Sequence, residues 1–330
     1  MRFGLFGGPA RRTPKMTDRE AYGSYVEGVL EAERLGFYGA YLVEHHFTQQ
    51  GQVSASLALL NYLAALTSTI RLGTAVVVTP WHNPVLLAEQ AATLDVLSNG
   101  RLDLGLGRGY RDYEFHGFGV PKHEADSRFS ETLKLLRIAW TSSERFSFTG
   151  KHWSFNDIIV DPKPVQHPTP PLWVGAASHG SIEAAARNGL RLFLDQVATF
   201  EEVKERLSVY RNAQADAGIR PHPHDVALTR PLLLANNRRE RTKALESQVA
   251  TLTALAGSTG QATDNPFHSD PASRHTRVEA GAIIGTATEC TERLQHLVEI
   301  GVQQVLFTRT TPSTLKRFAD NVMPNLANAN

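Results

Sequence analysis

Residues 38–51 read YGAYLVEHHFTQQG. Tyr41, Leu42 and Val43 make a short apolar run, which Glu44, His45 and His46 end abruptly before a polar turn. An aromatic and β-branched run bounded this way reads as a buried strand. A strand that ends in ionisable residues resembles the C-terminal end of a barrel strand, where (β/α)8 enzymes keep their chemistry. The competing reading is that the carboxylate and the two imidazoles only cap the strand and satisfy one another. The surrounding chain weighs between the two.

Outward from this stretch the pattern repeats. Residues 2–6 form a short apolar strand ending in Gly7, Gly8 and Pro9. Thr17 or Asp18 can cap a helix running to about Leu35, closed by Gly36. A second helix covers about 54–66. Residues 70–78 are almost wholly apolar and read as one strand buried on both faces. A helix over 84–97 carries Pro near its start and Ser-Asn-Gly at its end. A fourth strand, 101–106, runs into Gly107, Arg108 and Gly109. Strands alternating with helices in this order predict parallel pairing through right-handed crossovers.

The second half is less regular. A helix is expected over 126–140, a hairpin over 146–160 and a proline-rich connection over 162–171. Strands follow at 172–175, 190–194, 226–234 and 302–307. Helices are expected over 178–188, 201–217, after strand 226–234 to about 255, over 285–300 and 313–323. The count closes at eight strands. The expected architecture is one TIM barrel, (β/α)8, spanning residues 1–330 with insertions, in preference to two doubly wound halves. Residues 257–281 are rich in Gly, Ser, Thr, Asp and Pro and read as a mobile active-site loop.

Composition narrows the class. The chain has 330 residues, 42% of them hydrophobic, enough for a large core. The net charge of +1, without a long like-charge run, points away from nucleic acid and anionic membranes. Cys290 is the single cysteine, so neither an internal disulfide nor a C-x-x-C metal site can form. No apolar run is long enough to span a bilayer, and the first residues do not read as a signal peptide. A soluble, cytoplasmic protein is the expectation.

Four stretches carry a resemblance. VEHHFTQQG, then GTAVVVTPWHNPVLLAEQAATLDVLSNGRLDLGLGRGYRDYEFHGFGV, then PLWVGAASHGSIEAAARNGL, then IGTATECTERLQHLVEIGVQQVLF follow one another in register with the bacterial luciferase-like flavin-dependent monooxygenases. The chain resembles that family end to end. The resemblance implies a TIM barrel that takes reduced FMN as co-substrate, usually from a separate flavin reductase. Such enzymes react it with O2 through a flavin peroxide and place one oxygen atom in a small organic substrate.

It also implies residue roles. Arg108, Arg128, Ser178 and Ser181 would hold the FMN phosphate, with the backbone of Ala177 beside them. The residues themselves suit an anion: Arg108 offers a planar fork between two glycines, and the two serines open a helix where N–H groups are unpaired. Equally, the arginines can be surface ion pairs and Ser178 an ordinary N-cap. The bond Ala75–Val76 matches a non-proline cis peptide that backs the flavin ring in the family. His45 would act at the reacting flavin, as donor or base, with Glu44 and His46 orienting it or shaping the pocket. Two adjacent His on an extended strand face opposite ways, so no metal is expected. His82, on the loop after the strand 70–78, could reach the pocket, but a solvated loop histidine is the favoured reading.

Two positions depart from the light-emitting subunit of the family. Gly107 stands where that subunit has a reactive cysteine, and Ala177 where it has a glutamate. Other readings remain open: a deazaflavin-dependent hydride-transfer oxidoreductase on the same fold, and a non-catalytic flavin-binding partner subunit. A homodimer is expected, with Ala88, Ala91 and Ala92 of the helix 84–97 as a possible contact stripe. The substrate is not legible, because loops supply the pocket walls.

Overall fold

The computed structural model describes residues 1–11, 13–48, 53–258, 273–308 and 310–326, with the side chains of 255–258 left aside. In chain order it contains β1 (Arg2–Gly7), α1 (Asp18–Arg34), β2 (Gly39–Leu42), α2 (Ser56–Leu66), β3 (Arg71–Thr74), β4 (Val77–Val78), α3 (Pro84–Leu97) and β5 (Leu102–Gly107). Next come α4 (Asp112–Phe118), α5 (Ala125–Thr141), β6 (Phe146–Thr149), β7 (Ser154–Ile158), β8 (Leu172–Gly175), α6 (His179–Arg187), β9 (Arg191–Leu194), α7 (Phe200–Asp216) and β10 (Val226–Leu234). The chain ends with α8 (Arg238–Ser258), α9 (Arg274–Gly281), β11 (Ile283–Gly285), α10 (Ala287–Glu299), β12 (Gln304–Thr308) and α11 (Pro312–Asn321).

The ladder runs β10–β12–β1–β2–β3–β5–β8–β9, and β9 pairs again with β10. With β3 and β4 sharing one stave, eight staves close on themselves. This is the closed parallel (β/α)8 topology that the alternation predicts. β11 is an added strand on β10. Among the described residues no helix is long and apolar enough to cross a membrane.

The chain packs as two compact units. One comprises residues 8–26 and 40–174. Its parallel registers pair Leu72 with Leu102, Val77 with Leu106 and Leu104 with Leu172. The stave expected as one strand over 70–78 is broken: β3 ends at Thr74, the Ala75–Val76 peptide is cis, and β4 resumes at Val77. The cis bond is the one the resemblance implies. Residues Ala88, Ala91 and Ala92 are fully buried, and Trp140 donates its indole N–H to the Ala88 carbonyl at 3.1 Å. The expected contact stripe on α3 is therefore internal. Apolar surface on α2 and α3 belongs instead to Tyr62, Leu66, Leu86, Val96 and Leu97. The hairpin β6–β7 forms as expected. Its turn is held on α5 by Glu131, whose carboxylate accepts the N–H groups of Lys151, His152 and Trp153.

The other unit comprises residues 1–7, 27–39 and 175–330. β1, β10 and β12 are in register through Arg2 and Ala227, both opposite Gln304. Phe3 stacks on Phe307 at 5.6 Å, and Phe318 meets both rings edge-on at 4.9 and 4.8 Å. Two helices carry capping boxes, Thr199 with Glu202 and Thr286 with Glu289. The second box moves the start of the expected 285–300 helix to Ala287, after β11. The expected loop at 257–281 is also revised. Gly257 and Ser258 belong to α8, and Arg274–Gly281 is the helix α9; residues 259–272 lie outside the described residues. Helix α9 forms because Val278 joins an apolar cluster with Val197, Leu245, Leu252, Ala282 and Ile284. Its Gly281 comes so close to the Ala198 carbonyl that a side chain would not fit.

Candidate active site

In the unit of residues 8–26 and 40–174, three elements end together: β2, β4 and β5. The strand β2 is wholly buried and stops at Leu42, so the two histidines lie beyond it in irregular backbone. That backbone is anchored. The His45 N–H donates to the Val53 carbonyl at 3.0 Å, and Phe47 turns the chain with φ of 58°.

Glu44 is 3% exposed, and one of its oxygens, Oε1, collects three donors. These are Nε2 of His46 at 3.1 Å, Nε2 of His82 at 3.0 Å and Nε1 of Trp81 at 3.0 Å. Burial by itself would raise the Glu44 pKa; the bonds from His46 and His82, the proximity of His82 and the indole N–H overcome it and hold the group at about 2. An ionised carboxylate only accepts, so both imidazoles carry their proton on Nε2. His82 is therefore no solvated loop histidine. It closes the short turn Thr79–Trp81 onto the end of β2.

His45 faces a different carboxylate. Its Nδ1 lies 3.3 Å from Oε1 of Glu114, and the same oxygen accepts the His46 N–H at 2.9 Å. Glu114 is 1% exposed and sits on α4, which the sequence reading did not anticipate. A carboxylate at Nδ1 selects the tautomer and fixes the ring plane. The two neighbouring imidazoles thus have separate jobs: His46 is tied to Glu44, and His45 is mounted on Glu114. Among the described residues no group of three His, Cys, Asp or Glu side chains is arranged to hold a metal.

Aromatic rings enclose the pair. Phe118 lies edge-on to His46 at 4.7 Å and stacks on Trp81 at 4.8 Å. Tyr110 is edge-on to His45 at 6.4 Å. Phe47 packs against Phe118 at 5.1 Å, over Gly117, where a Cβ would collide with it.

The expected phosphate residues fall in two places. Arg108 follows β5, pairs through Nε with Asp126 at 2.7 Å and lies 4.5 Å over the Phe129 ring. Arg128, on the first turn of α5, pairs with Glu124 at 2.8 Å. Both guanidiniums thus meet at the start of α5, and both are ion-paired. The Asp126 side chain is 85% exposed, and an exposed pair contributes only about 0–1 kcal/mol, so an incoming dianion can displace it. Val76 packs against Gly107, with no space for a Cβ there. In the other unit Ser178 is the N-cap of α6, accepting the Ser181 N–H at 3.3 Å, with the half-buried Ala177 before it. The first turn of α6 carries no acidic residue, which leaves its free N–H groups suited to an anion.

Glu114, Trp81 and the partnership of His82 went unread in the sequence. The available signal was the position of Glu114 a few residues past a strand end, where barrel enzymes place working groups.

The chain is thus a closed parallel barrel with a carboxylate-mounted histidine beyond β2 and cations beyond β5. Comparison narrows the class: the family model for luciferase-like monooxygenases matches residues 1–304, and the chain belongs to that family. Over 98% of its length the chain is 26% identical to the oxygenase component of a flavin-dependent trigonelline monooxygenase from Acinetobacter baylyi, covering 95% of that protein. It is 36% identical to an uncharacterized Sinorhizobium fredii protein over 59% of this chain and 55% of that one. The crystal structure of a monooxygenase from Streptomyces bottropensis superposes with a TM-score of 0.87 at 26% identity, covering 99% of this chain and all of that one.

Proposed function

We propose that the chain is the oxygenase of a two-component system that uses reduced FMN and O2 to place one oxygen atom in a small organic substrate. A separate reductase would supply the reduced flavin, as the name of the Acinetobacter relative, an oxygenase component, suggests for that protein. The observation that carries the reading is His45, a half-buried imidazole held through Nδ1 by the buried Glu114.

Arg108 and Arg128 supply the charge for the flavin phosphate, and Ser178, Ser181 and the Ala177 backbone supply hydroxyl and N–H donors. Ala75 and Val76, beside Gly107, back the ring. Bound reduced flavin supplies the two electrons that activate O2. His45 moves the proton: with Nδ1 engaged, Nε2 can accept one from the reacting centre or return it. Glu114 stabilises the imidazolium that forms. Glu44 holds His46, Trp81 and His82 as one wall, and that wall, with Phe118, keeps water from His45. A homodimer through the exposed Tyr62, Leu66, Leu86, Val96 and Leu97 completes the proposal.

The test is anaerobic titration with reduced FMN, followed by rapid mixing with O2 and by turnover under labelled O2. Binding of reduced FMN, a long-lived absorbance transient and one labelled oxygen atom in product are expected. Tight binding of a deazaflavin without affinity for reduced FMN would instead place the chain among hydride-transfer enzymes. Flavin binding without any oxygen reaction would leave a silent flavoprotein.

A further inference from the structure

Arg111 is 5% exposed, and its guanidinium is hydrogen-bonded to the side chains of Tyr110 and Tyr113 without a close carboxylate. Its Nη1 donates to the Tyr113 hydroxyl at 2.7 Å, and the nearest carboxylate oxygen, on Glu114, stands at 4.0 Å. Its Nε is buried with no acceptor among the described residues. A guanidinium offers five donors, and burying them unpaired is strongly unfavourable. Ion pairing with Glu114 does not resolve this, because that oxygen is already taken by the His46 N–H and faces His45. The rings of Tyr110 and Tyr113 flank the guanidinium at 5.4 and 5.9 Å.

Around the same place, the surface is aromatic. Among the described residues the exposed aromatic side chains are Phe47, Tyr62, Tyr110, Tyr113 and Phe118, and all but Tyr62 belong to this rim. Exposed rings gathered beside a catalytic histidine mark a surface that is covered in use.

We propose that Arg111 and this rim select the substrate: a planar aromatic molecule bearing an anionic substituent, its ring against Phe118 and Phe47 and its carboxylate or phenolate on Arg111. The Tyr113 hydroxyl occupies the position that the anionic oxygen would take, and Tyr113 is 38% exposed, free to yield it. The inference rests on the monooxygenase reading for what happens to the ligand, but binding can be tested without turnover.

Calorimetric titrations of the intact protein with 2-naphthoate, 2-naphthamide and decanoate separate the contributions. Because hydrogen bonds to charged groups contribute about 1.5–3 kcal/mol, naphthoate should bind at least ~10-fold more tightly than the neutral amide. Decanoate should be weaker than naphthoate by a similar factor. Arg111→Gln should cost naphthoate that ~10-fold and leave the amide unchanged. Arg111→Lys, which keeps charge but loses the fork, should fall between. Phe118→Leu should weaken both aromatic probes, and near-ultraviolet circular dichroism checks that each variant is folded. Equal affinity for decanoate, an Arg111→Gln variant with unchanged naphthoate binding, or displacement of naphthoate by FMN would each overturn the proposal. Arg111-dependent naphthoate binding in a protein that does not bind reduced FMN would sink the flavin reading and leave this one standing.

Discussion

Replacing Glu114 by Gln separates the mounting of His45 from the packing around it. The amide matches the carboxylate in size, so α4 should keep its place, and an amide oxygen can still accept the His46 N–H now held at 2.9 Å. What is lost is the charge facing Nδ1 at 3.3 Å. At an effective dielectric constant of ~20, a full imidazolium charge at that distance would gain ~5 kcal/mol. Arg111, 4.0 Å from the same oxygen, opposes that gain. The hydrogen bond to a charged acceptor, about 1.5–3 kcal/mol, is the better guide and corresponds to a ~10–100-fold fall in kcat. Reduced-FMN affinity should stay within ~3-fold, because Glu114 touches none of the phosphate residues. Glu114→Asp should recover part of the rate. The assay is steady-state turnover with reduced FMN held saturating, alongside anaerobic titration. A Glu114→Gln enzyme with unchanged kcat, or one whose defect lies wholly in KM, would refute the mounting role.

Two further outcomes are expected. Glu44 has a folded pKa of about 2 against an ordinary 4.5, so its contribution is present above pH 4.5 and lost as pH falls toward 2. The shift corresponds to about 3 kcal/mol. In urea unfolding, wild type should lose that much more stability than Glu44→Gln between pH 5 and ~2, and parallel losses would contradict the network. Gly107→Ala should destabilise by ~1–3 kcal/mol, because the new Cβ meets the stiff Val76 side chain. A thermal midpoint equal to wild type would show that Val76 moves freely.

Much of this protein is legible in its sequence because the physics is local. The almost wholly apolar run 70–78 announces a parallel sheet covered on both faces, and strands form there over Arg71–Thr74 and Val77–Val78, as one does over the expected 172–175. Ser178 is read as a helix start because an N-cap depends on the next three residues only. His45 and Arg108 are read because each follows a strand end. The resemblance supplied the cis bond at Ala75–Val76, which composition does not encode.

Only the tertiary structure decided what those residues touch. Helix α4 was unread because it is seven residues long and contains Gly117; it is held by a left-handed Gly119 and by Phe115 in the core. The pairs that make the site join His45 to Glu114 across 69 positions and Glu44 to His82 across 38. No periodicity spans such distances. Which imidazole meets which carboxylate depends on how the ends of β2, β4 and β5 converge, and only packing determines that. The same holds for Ala88, Ala91 and Ala92, small enough to be either a contact stripe or a packing face until the neighbouring helix buried them. Local chemistry chose the elements; burial in three dimensions assigned them partners.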